Sequence, residues 1–265
     1  MPHATTPLKA VIFDWAGTTV DYGSRAPTQV FLEIFRRRGV TITTAEAREP
    51  MGRAKRDHIA AVANMPRVAE AWRVAHGRAP VDADVQAMYD EFLPLQKETL
   101  ARGSDIIPGV IEAVDECRLR GLKIGSTTGY TRALMEVVAP MAAKHGYAPD
   151  VTICSDDVSQ GRPAPWMNFR AAEIMNVYPL SSVVIVDDTP VGIEAAVNAG
   201  GIAVGISQTG NALGLSESEV AALDPSDLYK RLAAIEQEFR AAGAHYVIRS
   251  VAELPELIAQ ISMKR

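Results

Sequence analysis

Cysteine is scarce: Cys117 and Cys154 are the only two in 265 residues. A pair without partners at ligand spacing rules out a disulfide scaffold and a cysteine zinc site, and it fits a reducing compartment. No apolar run reaches the roughly 20 residues that a membrane-spanning helix needs. The opening MPHATTPLKA lacks the long apolar core of a secretory signal. A cytoplasmic location with no membrane partner is therefore expected. Positive charge is not in excess either. Lys and Arg number 27 against 32 Asp and Glu, a net charge of -5, so no nucleic-acid partner is expected. There is no internal repeat and no low-complexity stretch. What remains is 48% hydrophobic and 22% charged, the balance of an ordinary globular protein. Its length suffices for one large domain or two modest ones.

The organising stretch is KAVIFDWAGTTVD, residues 9–21. Ala10, Val11, Ile12 and Phe13 read as a buried strand that ends on Asp14, followed by the small residues Ala16 and Gly17. In an open α/β sheet such a strand end is where ligands bind; the plainer alternative is that Asp14 caps a following helix. For about 85 residues beyond it the apolar spacing is helical. The segments are 27–38 (closed by Gly39), 45–48 (capped by Thr43 or Thr44), 54–64, 67–76 and 82–102, the last kinked or broken at Pro94. No strand is legible there. From residue 105 onward strands and helices alternate. Strands are expected at 122–127, 151–155, 181–188, 201–207 and 244–248, with helices between them, a long one over 227–242 and a last one near 254–262. This alternation predicts an α/β fold, a doubly wound, mostly parallel sheet carrying an inserted helical domain. The expected boundaries are 1–21 with 103–265 for the sheet domain and 22–102 for the insertion.

Four strand ends then line up: Asp14, Thr127-Thr128-Gly129, Arg162 in the loop after the third strand, and Asp187-Asp188. Two separated carboxylate sites suit a hard cation such as Mg2+. The hydroxyl and backbone N–H groups around Thr128 and Gly129 can hold phosphate oxygens, and Arg162 can neutralise phosphate charge with a directional fork. With that charge neutralised, Asp14 can attack phosphorus. Each residue also has a plain reading: a turn for the threonines, a solvated arginine, a helix cap for one of the two aspartates.

The same residues, in the same order, resemble the haloacid dehalogenase-like superfamily. VIFDWAGTTVDYG, the PMG-x-x-K-x-DH pattern of residues 50–58, GSTTGYTR and GRPAPWM extend the resemblance over nearly the whole chain, and narrow it to the phosphonatase family, the phosphonoacetaldehyde hydrolases. The resemblance implies a mobile cap over a doubly wound core, a Mg2+ cofactor held by Asp14, the Ala16 carbonyl and Asp188, a small organophosphonate substrate, and a homodimer. The dimer would form through cap helices. Phe31, Phe35 and Trp72 are compatible with that face and equally with a cap core.

Superfamily phosphatases place a second Asp two residues after the nucleophile as general acid. Here that position is Ala16, which moves no proton. This argues against a Mg2+-dependent phosphatase or phosphomutase acting on a P–O ester. Lys55, with apolar Met51 before it and His58 three residues on, offers a different activation. A partly desolvated lysine can attack an aldehyde, and the protonated imine is an electron sink that lets a P–C bond break. Asp14, Lys55 and His58 are the expected catalytic residues, with His58 relaying protons. Met51, Thr128, Gly129 and Arg162 are expected to bind substrate. A non-catalytic signalling protein that accepts phosphate on an aspartate is the rival from another class; it would not need the cap or Lys55. Two departures stand out: the acid common four residues after the metal-binding Asp is replaced by Gly192, and position 24 is Ser where some relatives carry Cys. Tyr22 and Tyr130 either contact substrate or pack.

Overall fold

The computed structural model describes residues 7–100 and 105–264. Its centre is β1 (Ala10–Phe13), four apolar residues without solvent exposure. A strand flanked by neighbours on both edges and helices on both faces can afford no polar side chain, hence the unbroken apolar run. β1 pairs in parallel with β2 (Lys123–Thr127) on one side and β4 (Val183–Asp187) on the other. With β3 (Val151–Ile153), β5 (Ile202–Ile206) and β6 (Tyr246–Ile248) the order is β3-β2-β1-β4-β5-β6, and every pairing is parallel. This is the doubly wound order. The chain reverses its direction of travel across the sheet between β1 and β4, opening a crevice at their carboxyl ends.

Alternation along β1 divides the core. Val11 and Phe13 face one side, with the buried residues of α6 (Val110–Leu119), α7 (Arg132–Lys144) and α12 (Leu254–Met263). Ala10 and Ile12 face the other, with α8 (Trp166–Ile174), α9 (Pro190–Asn198) and α11 (Pro225–Ala241). Between β1 and the rest of the sheet comes a helical segment: α1 (Arg25–Arg37), α2 (Thr44–Arg48), α3 (Lys55–Ala63), α4 (Pro66–His76) and α5 (Asp82–Leu100). These helices share a separate hydrophobic cluster that includes Phe31, Ile34, Phe35, Ile59, Trp72 and Phe92. Phe31, Phe35 and Trp72 therefore pack inside the cap, not on a surface that a second copy could meet.

Some expected boundaries move. α1 starts at Arg25, two residues early, because the Asp21 carboxylate accepts the backbone N–H of Arg25 and Ala26, both at 3.0 Å. α5 runs as one helix through Pro94, its buried residues Val85, Met88 and Phe92 lying in the cap cluster. The polar stretch after β5 holds one more short helix, α10 (Glu217–Ala222), opened by a reciprocal Ser216–Glu219 capping box. The expected domain boundary at 102/103 lies outside the described residues. Among the described residues no helix is long and apolar enough to cross a membrane.

Candidate active site

Asp14 follows β1 directly. No helix starts there, so the capping alternative falls away; its backbone N–H instead donates to Val186 O, continuing the sheet. Its carboxylate meets Arg162 at 2.7 Å, and Arg162 also meets Asp187 at 3.1 Å. The same guanidinium donates to the Thr127 carbonyl and hydroxyl at 3.1 and 2.9 Å. Arg162 is thus a buried bracket across β1, β2 and β4, and not a solvated loop residue. Its fork is directed first at the two aspartates, which constrains the phosphate contact expected of it.

The adjacent aspartates divide their labour because successive side chains at a strand end point to opposite sides. Asp187 Oδ1 accepts from the backbone N–H and hydroxyl of Thr189, the N-cap of α9, at 3.0 and 2.7 Å. It stands against Gly192, where a Cβ would lie 2.0 Å from its carboxyl carbon. Gly192, where the superfamily commonly carries an acid, thus leaves the room that the Asp187 carboxyl occupies. Asp188 turns into the crevice instead. Its carboxylate accepts from Thr18 Oγ1 at 3.3 Å and from the Asn211 N–H at 2.6 Å. Gly17, with φ +87°, passes so close that a Cβ would sit 2.1 Å from Asp188 Oδ2.

The inserted helices supply the opposite wall. Lys55 is the first residue of α3 and only 3% exposed. Its ammonium lies 4.9 Å from the Tyr130 ring centre and 5.7 Å from that of Phe31. Burial lowers its pKa to about 8, against the opposing pull of the Asp14 charge. The positive end of the α3 dipole also disfavours an ammonium at this position. Burial likewise raises the Asp14 carboxyl to about 7 despite Arg162 beside it.

A cavity of about 20 Å3 lies between these walls. It is lined by Asp14, Ala16, Thr128, Gly129, Arg162 and Asp188 from the sheet side and by Met51, Gly52 and Lys55 from the cap, with Ser24, Pro27, Tyr130 and Thr189 at its edges. Eight of the nine expected site residues meet here. His58 does not. Its ring stacks on Phe31 at 3.7 Å, its Nε2 donates to the Ala47 carbonyl at 2.9 Å, and burial holds its pKa well below the usual histidine value. That leaves a neutral imidazole with a buried, unpartnered Nδ1, packed behind Lys55 instead of facing the cavity. Tyr130 lines the site and Tyr22 does not; the Tyr22 hydroxyl accepts from Gln208 Nε2 at 3.4 Å. Gly52 and Thr189 were not foreseen. The only signal for Gly52 was its place in a small-residue turn before Lys55.

The donor set suits a hard divalent cation. Asp14 and Asp188 are both buried, and the Asp188 pKa is raised well above normal, by burial first and then by the charges of Asp14 and Asp187. Buried carboxyls short of compensating positive charge are a fit for Mg2+, and Ala16 lines the same cavity. Among the described residues no three His, Cys, Asp or Glu side chains converge on one point, and this set needs only two plus a carbonyl.

A parallel doubly wound sheet, an aspartate at the end of its first strand and a helical insertion directly after it define a hydrolase of the haloacid dehalogenase-like type. A family model described as haloacid dehalogenase-like hydrolase matches residues 8–200. The phosphonoacetaldehyde hydrolase of Paraburkholderia xenovorans (strain LB400) is 48% identical over 257 residues, covering 97% of this chain and 96% of that one. A bifunctional phosphonoacetaldehyde hydrolase/aminoethylphosphonate transaminase of Clostridioides difficile (strain 630) is 46% identical over 96% of this chain, which spans only 40% of that longer protein. The crystal structure of a phosphonoacetaldehyde hydrolase-like protein from Oleispira antarctica superposes with a TM-score of 0.96 at 39% identity, covering 100% of this chain and 97% of that one. The chain belongs to the haloacid dehalogenase-like hydrolases and, within them, to the phosphonoacetaldehyde hydrolase family.

Proposed function

We propose that this protein hydrolyses the P–C bond of phosphonoacetaldehyde to acetaldehyde and phosphate. The observation that carries the reading is Lys55, a desolvated amine with its pKa lowered to about 8, facing a cavity that also holds Asp14 and has Ala16 where a general acid would stand. The unprotonated Nζ adds to the aldehyde carbon, and loss of water with uptake of one proton leaves a protonated imine. Asp14 attacks phosphorus. The P–C bonding pair moves into the imine to give an enamine, and the phosphoryl group passes to Asp14. Protonation of the enamine carbon and hydrolysis by water release acetaldehyde and restore Lys55. A second water cleaves the aspartyl phosphate. Arg162 holds Asp14 aimed and favours its ionised form against the burial that raises its pKa, while Thr128 and Gly129 offer hydrogen-bond donors to the phosphoryl oxygens. Mg2+, held by Asp14, Asp188 and the Ala16 carbonyl, would neutralise phosphoryl charge when bound. Met51 covers Lys55 from water. His58 fixes the α2–α3 packing behind it through its bond to Ala47.

In this reading residues 22–102 are a cap domain over a core formed by 1–21 and 103–265, and the enzyme is a cytoplasmic homodimer. Trapping tests it. Borohydride added with substrate is expected to fix a two-carbon adduct on Lys55, and Lys55→Ala to lose both adduct and turnover. Asp14→Asn is expected to keep the adduct and lose phosphate release. Steady hydrolysis of phosphate esters with no turnover of phosphonoacetaldehyde would overturn the reading.

A further inference from the structure

Among the contacts between the inserted helices and the sheet domain, which include the Arg25–Glu219 pair, one arginine makes the densest set of hydrogen bonds. Arg48, the last residue of α2, reaches across to the loop that follows β5. Its Nη1 donates to the Gly23 carbonyl at 2.8 Å and to both the carbonyl and the side-chain oxygen of Asn211 at 3.1 Å. Its Nη2 donates to the Gly214 carbonyl at 3.1 Å. Asn211 returns a bond from Nδ2 to the Arg48 carbonyl at 3.2 Å. Gly214 has φ +67°, and a Cβ there would lie 2.7 Å from the guanidinium carbon, so only glycine lets the loop wrap the fork this closely.

The other side of the same loop faces the active site. The Asn211 N–H is the donor that meets Asp188 Oδ2 at 2.6 Å, and Gly210 packs against the Asp188 Cβ, with 2.5 Å to a Cβ built on the glycine. One short segment therefore carries the cap's grip on one side and the Asp188 contact on the other. Gly23, the third point of the grip, stands where the chain enters the inserted segment, and its N–H donates to the Thr209 carbonyl at 2.7 Å. A charged fork engaging several carbonyls at once is a strong contact that is all-or-none with respect to cap position.

We propose that Arg48 and Asn211 form a latch that holds the cap shut over Lys55 and, when shut, presses the Asn211 N–H onto Asp188. Both are positioning residues, since neither lines the cavity. The inference rests on the proposed reading only for what Asp188 does; the closure itself does not depend on the reaction.

The test uses burial of Lys55, which an amine-reactive reagent reaches only when the cap opens. The labelling rate at Lys55 is followed by peptide mass spectrometry in the full-length protein, alongside kcat, KM and thermal unfolding. Arg48→Ala and Asn211→Ala are each expected to raise the Lys55 labelling rate at least tenfold. The double variant should be no faster than the faster single, because both remove the same latch. Arg48→Lys, a point charge in place of a fork, should recover part of the protection. Asn211→Ala keeps the backbone donor to Asp188, so it should raise KM more than it lowers kcat and leave Tm nearly unchanged. Unchanged Lys55 labelling in the Asn211→Ala variant, or labelling that rises additively in the double variant together with a fall in Tm, overturns the latch. If wild type turns over no phosphonoacetaldehyde yet the labelling pattern holds, the proposed reaction fails and the latch stands.

Discussion

In the proposed reaction Lys55 meets two opposed demands, and they can be measured separately. An imine needs an unprotonated amine. Lowering the pKa from 10.5 to about 8 raises the unprotonated fraction at neutral pH by about three-hundredfold. The kcat/KM should therefore climb as pH rises toward about 8 and level off above it, a profile read directly from initial rates. The fold bears the cost. A lysine whose folded pKa lies below its unfolded value binds fewer protons when folded, so its destabilisation is complete below about pH 8, fades as pH rises from about 8 to 10.5, and is lost above that. Lys55→Met should abolish turnover yet raise unfolding stability at pH 7, by on the order of 3 kcal/mol. Denaturant titrations at pH 7 and pH 10.5 should show that gain shrinking. Ala16 was marked only by the family resemblance, whereas the placement of Asp14, Thr128 and the Asp187-Asp188 pair at the site was legible in the sequence because each stands at a strand's carboxyl end, a place local pattern can mark. The division between Asp187 and Asp188 was not, since adjacent residues differ only in which way they point. Nor was the fate of His58. Helical spacing put it on the face of Lys55, but a four-carbon stem leaving the start of α3 reaches past Phe31 to the cavity, and a short imidazole on the next turn stays in the cap core.

Elements meet at glycines, and two of these separate fold from function. Gly192 lies in the first turn of α9, where alanine would ordinarily favour the helix. Here a Cβ would fall 2.0 Å from the Asp187 carboxyl carbon. Gly192→Ala should therefore destabilise the protein by about 1–3 kcal/mol, the usual range for overpacking. It should also cut kcat more than tenfold as the Asp187–Arg162–Asp14 bracket shifts; calorimetry and steady-state rates check both. Gly129 is different. Its Cβ would lie 2.8 Å from the Arg53 carbonyl and 3.1 Å from that of Gly52, both in the cap. Gly129→Ala should leave Tm within about a degree of wild type and depress kcat/KM at least tenfold, because it obstructs only the approach of cap to sheet. The strand and helix order was readable from apolar pattern except for α10, whose short polar turn is set by its capping box. The Arg48–Asn211 contact was not, because residues 163 positions apart carry no shared period.

At the scale of the molecule, the cavity between cap and sheet holds about 20 Å3, room for about one water and for no phosphonate. Substrate entry requires the two parts to separate. Inorganic phosphate with Mg2+ should favour the shut form, so amide exchange over residues 48–53 and 209–214 should slow when both are added and remain fast with either alone in the Asp188→Asn variant. Uniform exchange across conditions would show that closure is not linked to the bound anion.

The placing of β1 bears on how the chain is made. Its neighbours begin at Lys123 and Val183, so the central strand leaves the ribosome about 170 residues before its second edge is covered. At roughly 5–20 residues per second that is a wait of some ten to thirty-five seconds. During it the helical segment, with a hydrophobic cluster of its own, can fold first, while the strand that ends on Asp14 stays unpaired and open to chaperones. The strand that is made before every other strand of the sheet is thus among the last to be covered on both edges.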